Sequence, residues 1–380
     1  TVESGETQQL LSRNNKVKSL TIKGKNAGSS LMVNGVTRFN GTTDNLLVTV
    51  DDSHIKGDVL IENYQADTGK ITINSTIDTS KYNDEHTGNI TVTTDGDITT
   101  ADGVALNAAD KVSINSKKGS VATGGNVTAN NEVDIDAAKD ITANGNLTST
   151  NANVDLNAGG SIMTNSTVNA LNNVIANANG NINTNGDVTA TNGKAELNSS
   201  TGSVNTQNVT AGQVVDIDAA NNITASGNLT STNANVDLNA GGSITTRGQV
   251  KAQQNVDYNA KGSITTKGII NSKAGNIHLQ TDAAKGDITF GGDVTADHGN
   301  INIDVLQNGS VTDHDNKFKA LGDKGDINSG NFALQIKGAG DVDLHEIYAT
   351  NNALIDVANG NLTLGKNRRQ SGSSAAEDRR

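Results

Sequence analysis

Residues 126–165, NVTANNEVDIDAAKDITANGNLTSTNANVDLNAGGSIMTN, return as residues 208–247, NVTAGQVVDIDAANNITASGNLTSTNANVDLNAGGSITTR, with 32 of 40 positions unchanged. Inside each copy a shorter period shows. A V-D-I/L pattern begins at Val133, Val154, Val215 and Val236, with degenerate forms at Val174 and Ala195, so it recurs every 20 to 22 residues. Self-similarity at such a period marks a solenoid, in which a repeat cannot bury its apolar face alone and does so against its neighbours.

Working outward, each rung parses into three strands. Strand A is of the Val154-Asp155-Leu156-Asn157 type, strand B of the Ser243-Ile244-Thr245-Thr246 type and strand C of the Asn228-Leu229-Thr230-Ser231 type. All are four or five residues long and alternate apolar with polar. That alternation turns Val, Leu, Ile and Ala inward and Asp, Thr and Asn outward. The expected fold is all-β: a right-handed parallel β-helix with three short strands per rung. Roughly 15 rungs at about 4.8 Å each give a rod on the order of 70 Å long.

The corners carry turn chemistry. An Asn/Asp column (Asp136, Asn157, Asn177, Asn198, Asp218, Asn239, Asn259) follows strand A, and a Gly column (Gly160, Gly180, Gly202, Gly242, Gly262) follows that. A second Gly column, Gly145, Gly186, Gly227, Gly248 and Gly268, follows strand B. Glycine tolerates the left-handed conformation, so these columns are expected to make corners with positive φ. The chain has no Pro. A proline would delete a ladder donor in any strand it entered.

The period loosens toward both ends. Residues 1–45 read as an irregular edge or cap region, although KSLTIKG and SSLMVNGV look like strands and residues 6–13 like a turn of helix. Rungs fill residues 46–365, with residues 75–87 expected to bulge as a loop from one corner. Residues 366–380, KNRRQSGSSAAEDRR, lack alternation and change the sign of the charge. They read as a disordered polar and basic tail. The chain starts at Thr1 without a secretory signal and has no apolar run long enough to span a bilayer, so it reads as a piece of a larger mature protein.

With 41 Gly, no Trp and 2% aromatic residues there is little material for a bulky core, and thin stacked layers need less. The net charge of −12 argues against nucleic acid and anionic membrane, which both demand basic surface. No Cys excludes a disulfide framework.

Chemical sites were sought on this frame. Glycan cleavage on a β-helix needs paired carboxylates or a metal-bound base in a cleft, with aromatic rings for the sugar to stack on. The four Tyr and four Phe are scattered, so no enzyme is expected. The six His residues show no metal-ligand spacing, calcium-binding nonapeptides do not occur, and a Thr-x-Thr array on strand C is broken at alternate rungs. Two features remain. The second residue of strand A reads Asp134, Asp155, Ile175, Glu196, Asp216, Asp237, Asp257. Like charges directly opposite on neighbouring strands repel. Such a row is either a fully solvated acidic stripe or a set of weak Ca²⁺ sites bridging rungs, with Asp134, Asp155, Glu196, Asp216, Asp237 and Asp257 as ligands. No other cofactor is expected. The second feature is the sequons of strand C: Asn126, Asn146, Asn208 and Asn228 each precede an inward Val or Leu and an outward Thr, so their amides face solvent as N-glycosylation acceptors.

The runs GNLTSTNANVDLNAGGSI, GNINTNGDVTATNG and GDVTADHGNINID resemble the passenger repeats of filamentous haemagglutinin-like and high-molecular-weight adhesins, the large exoproteins of two-partner secretion in Gram-negative bacteria. The likeness covers roughly residues 46–364. It implies a β-helical shaft exported through an outer-membrane secretion partner, folding outside, and sticking to a host-cell glycan or glycoprotein receptor. It also implies hexose on sequon asparagines. In another branch the shaft is the stalk of a contact-dependent inhibition exoprotein, and this chain shows no toxin domain. The family's amino-terminal secretion domain has no match here. The expected function is therefore attachment by the shaft of a secreted or surface-held adhesin, without membrane insertion.

Overall fold

The computed structural model of the chain describes residues 19–22, 37–50, 55, 57–80, 88–282, 286–305, 309–313, 316–321, 334–350 and 352–365. They form an all-strand parallel β-solenoid of three sheets, with 15 strands of type A, 16 of type B and 13 of type C. No helix occurs among the described residues. Successive strands of one type are hydrogen-bonded neighbours in each sheet, so the ladder runs along the axis. The strand Val154–Ala158, for example, lies between Val133–Ala137 and Val174–Ala178, with Leu156 opposite Ile135 on one side and Ala176 on the other.

The alternation explains the packing. In the rung that begins at Val133, the inward residues are Val133, Ile135, Ala137, Ile141, Ala143, Leu147 and Ser149, and all are buried. Burying a Val, Leu or Ile side chain contributes roughly 1.5–3 kcal/mol, and the sum over rungs opposes the entropy of ordering the chain. Where the pattern loosens, aromatic rings fill the interior. Phe290 and Phe318 meet edge to face with centroids 4.9 Å apart. Tyr258 takes a strand-A position that holds Leu238 and Leu279 in the adjacent rungs, and its hydroxyl lies 3.4 Å from Thr246 Oγ1.

Three expectations are corrected. Strand Thr37–Gly41 lies within the segment read as an irregular edge, yet it pairs into a solenoid sheet, as does Ser19–Ile22, which falls in the stretch KSLTIKG that already read as a strand. Ile77–Asp78, inside the segment read as a bulging loop, pairs with Leu106–Ala108 as a strand of type C. The Gly columns do not carry positive φ. Among the described glycines only Gly57, Gly88, Gly103, Gly338 and Gly365 do.

The column glycines answer instead to close approach between rungs. A Cβ on Gly248 would lie 2.3 Å from the carbonyl oxygen of Gly227, and one on Gly268 would lie 2.1 Å from that of Gly248; the neighbouring corner glycine Gly241 is tighter still, at 2.0 Å from Ala220 O. The corners stack backbone on backbone and keep the ladder unbroken: Gly242 N donates to Asn221 O, and Gly262 N to Gly242 O, both at 2.7 Å. Residues 6–13, 29–36 and 366–380, which were read as a helical turn, a strand and a tail, lie outside the described residues.

Candidate functional site

The surface repeats with the rungs, so each outward position becomes a column along the rod. The predicted carboxylate row is one such column. Asp134 stands opposite Asp155, Asp155 opposite Ile175, Ile175 opposite Glu196, Glu196 opposite Asp216, Asp216 opposite Asp237, and Asp237 opposite Asp257. The row then ends on His278, whose Nδ1 is 3.9 Å from Asp257 and whose Nε2 is 3.1 Å from Asp304.

These carboxylates are half-buried, which corrects the expectation of a fully solvated stripe. Their neighbours are other carboxylates on the same face. Burial, then the Asp257 and Asp216 charges, push Asp237 up to about 6. Burial, then Glu132, push Asp155 up to about 6. Asp216 and Asp257 are raised for the same first reason, with His278 drawing Asp257 back down.

Basic side chains sit beside the row at three places: Lys111 Nζ lies 2.7 Å from Glu132 and 3.0 Å from Asp134, Lys194 contacts Glu196, and the His278 imidazole lies at the far end. Among the described residues no three His, Cys, Asp or Glu side chains converge as a metal cage. The row brings Asp134 beside Asp155, and Glu196, Asp216, Asp237 and Asp257 into one continuous run.

The sequon asparagines Asn126, Asn146, Asn208 and Asn228 sit just before strand C, half-buried or exposed. Their side-chain oxygens are occupied. Asn126 Oδ1 accepts from Asn146 N at 2.9 Å, Asn208 Oδ1 from Asn228 N at 2.7 Å, and Asn228 Oδ1 from Gln249 N at 2.8 Å. Asn146 Oδ1 accepts from both the backbone N and the hydroxyl of Thr167. An N-linked sugar would attach to Nδ2 and leave those acceptors in place. At Asn208 it would compete with the bond from Nδ2 to Asp187 Oδ1.

This pattern extends to every corner and was not read from the sequence. Just before strand B, side-chain oxygens of Asp97, Ser120, Asp140, Ser161, Asn181, Ser203, Asn222, Ser243, Ser263 and Asp287 each accept the backbone N–H of the equivalent residue one rung on, at 2.7–3.3 Å. Before strand A, Asn153, Asn173, Asn235, Asn255 and Asn276 do the same. Asp, Asn and Ser interchange because each offers an oxygen at short reach. The available signal was a polar residue preceding the first inward residue of each strand.

A further column lies on strand A. Asn157 Nδ2 donates to Asp136 Oδ1 at 3.0 Å, Asn177 Nδ2 to Asn157 Oδ1 at 3.1 Å, and Asn239 Nδ2 to Asp218 Oδ1 at 2.9 Å. These residues were expected after the strand; they are its fourth residue. No family model, no curated protein and no solved structure matches the chain.

Proposed function

We propose that this chain is the repeat shaft of a large secreted or cell-surface bacterial adhesin that attaches the producing cell to host cells or their glycans. The observation that carries the reading is the continuous axial stack, whose outward columns are short polar side chains repeated from rung to rung. Such a surface suits multivalent contact with a repetitive partner, since weak identical sites on a stiff support gain by avidity. The resemblance to two-partner secretion passengers supplies the rest: export through an outer-membrane partner pore and folding outside. The reading gives the chain no catalytic role.

The test is attachment. Beads coated with the chain should bind host epithelial cells in numbers that fall when the cells are first treated with glycosidases, while beads coated with an unrelated acidic β-solenoid should not. Equal binding by both bead types would remove the adhesin reading. Depolymerisation of acidic or neutral polysaccharides by the soluble chain would replace it with an enzyme.

A further inference from the structure

A groove of about 540 Å³ crosses five consecutive rungs beside the fourth residue of strand A. One wall is the column Asp136, Asn157, Asn177 and Asn198, and the groove runs over the strand ends at Ala137, Ala158 and Ala178, whose side chains are buried in the core. The opposite wall drops away because Ala138 and Gly159 occupy the corner in two successive rungs.

The amides of that wall are half spent. Asn157 and Asn177 each give one N–H to the preceding rung, and Asn157 Oδ1 accepts one bond from the next. An amide has two N–H groups and an oxygen with two lone pairs. Each of these two rungs therefore keeps one donor and at least one acceptor unspent in the wall of the groove, and the column repeats at the rung spacing of about 4.8 Å.

We propose that this groove binds a neutral, linear glycan lying along the rod axis, one sugar to a rung. A hydroxyl is donor and acceptor at once, which matches the leftover capacity of each amide. The rung spacing is close to the length of one pyranose unit. An extended peptide presents the same face only every two residues, roughly 6.8 Å, and falls out of step by the second rung. Charge favours a neutral chain, because the groove holds Asp136 and, at one end, Lys117 as its charged side chains. No aromatic ring lines the groove, so each unit binds weakly. Affinity must then accumulate along the chain.

The proposal rests on the adhesin reading for the source of the glycan and specifies where contact occurs. Titration of the full chain with neutral 1,4-linked oligosaccharides of two to eight units, followed by amide NMR shifts or calorimetry, should show affinity rising with length and levelling near five units, the number of rungs crossed. Asn157→Ala with Asn177→Ala should weaken association by about tenfold or more, since two neutral hydrogen-bonding groups are lost. Thr224→Ala, on the strand-B face, should leave it unchanged. Circular dichroism of both variants guards against misfolding.

If the unmutated chain binds these glycans and the double variant binds equally well, the groove is overturned and the adhesin reading stands. If none binds while coated beads still adhere to cells, the groove is again overturned and adhesion lies elsewhere. If sedimentation shows that the double variant loses a concentration-dependent association of the chain with itself, without any glycan effect, the groove is a contact between rods instead.

Discussion

Replacing Asp237 by Asn should stabilise the middle of the rod at neutral pH and do nothing at acid pH. Asp237 is half-buried between Asp216 and Asp257, with its pKa pushed up to about 6 from an ordinary 3.8. Between those two values the native state holds more protons than the unfolded state, so stability falls as pH rises through the window. The penalty is complete above pH 6 and absent below about pH 3.8. Unscreened, it would reach about 3 kcal/mol; the side chain is half-exposed, and solvent screening reduces this to about 1 kcal/mol. Asp155, raised to about 6 by burial and Glu132, adds a comparable effect four rungs away.

A solenoid opens locally, so the assay is hydrogen exchange of the amides in Val236–Ala240 rather than one global melt. In Asp237→Asn those amides should exchange about fivefold more slowly at pH 7.5, and at the unmutated rate at pH 4 after correction for intrinsic exchange. Equal protection of variant and parent at pH 7.5, or equal gains at both pH values, would falsify the account of a carboxylate held at a loss.

Leu156 is buried opposite Ile135 and Ala176, so Leu156→Asp should cost several kcal/mol locally, whereas Thr148→Ser on an outward face should cost little; protease mapping of the two variants compares them. Gly241→Ala should loosen its corner by more than Gly103→Ala. The first meets a backbone oxygen at 2.0 Å and the second meets only the left-handed strain of φ 73°, about 1 kcal/mol, in open space; denaturant melts that ranked them in reverse would refute the close-approach reading. If Ca²⁺ bridges consecutive carboxylates of the row, millimolar CaCl₂ should raise the melting temperature more than ionic-strength-matched NaCl, and Asp216→Asn with Asp237→Asn should abolish the difference; equal shifts would rule the bridging sites out. In a host that carries a suitable glycosyltransferase, mass spectrometry should find hexose on Asn126, Asn146 and Asn228, and less on Asn208, whose Nδ2 is engaged with Asp187.

Period and alternation made the three-strand rung legible, and Val133, Val154 and Val174 stack where the repeat placed them. Ile77–Asp78 escaped because it offers a single inward residue inside a polar insert. The column glycines were located correctly and explained wrongly: the pattern reveals that a corner excludes a side chain, and only the approach of Gly268 to Gly248 O shows that the neighbouring rung, not φ, excludes it. The carboxylate row was legible as a row. Its partial burial was not, since that depends on how closely the flanking side chains close over Asp155 and Asp237. The asparagine groove was hidden for a related reason, because Ala138 and Gly159 matter only through what they fail to cover.

The corner ladder of Asp, Asn and Ser oxygens bears on how such a chain changes length over generations. Before strand B the same bond joins rung after rung, an oxygen from one rung to the N–H of the next, and three residue types serve it interchangeably. A cut at one rung and a splice at another therefore meets a compatible partner. The second copy of residues 126–165 begins 82 residues downstream, a displacement of four rungs, with Val215 taking the place of Val133. A whole number of rungs can be inserted or lost by unequal recombination without a new interface being invented. The length of the solenoid then becomes a quantity that genetic slippage can adjust in steps of about 4.8 Å, one rung at a time.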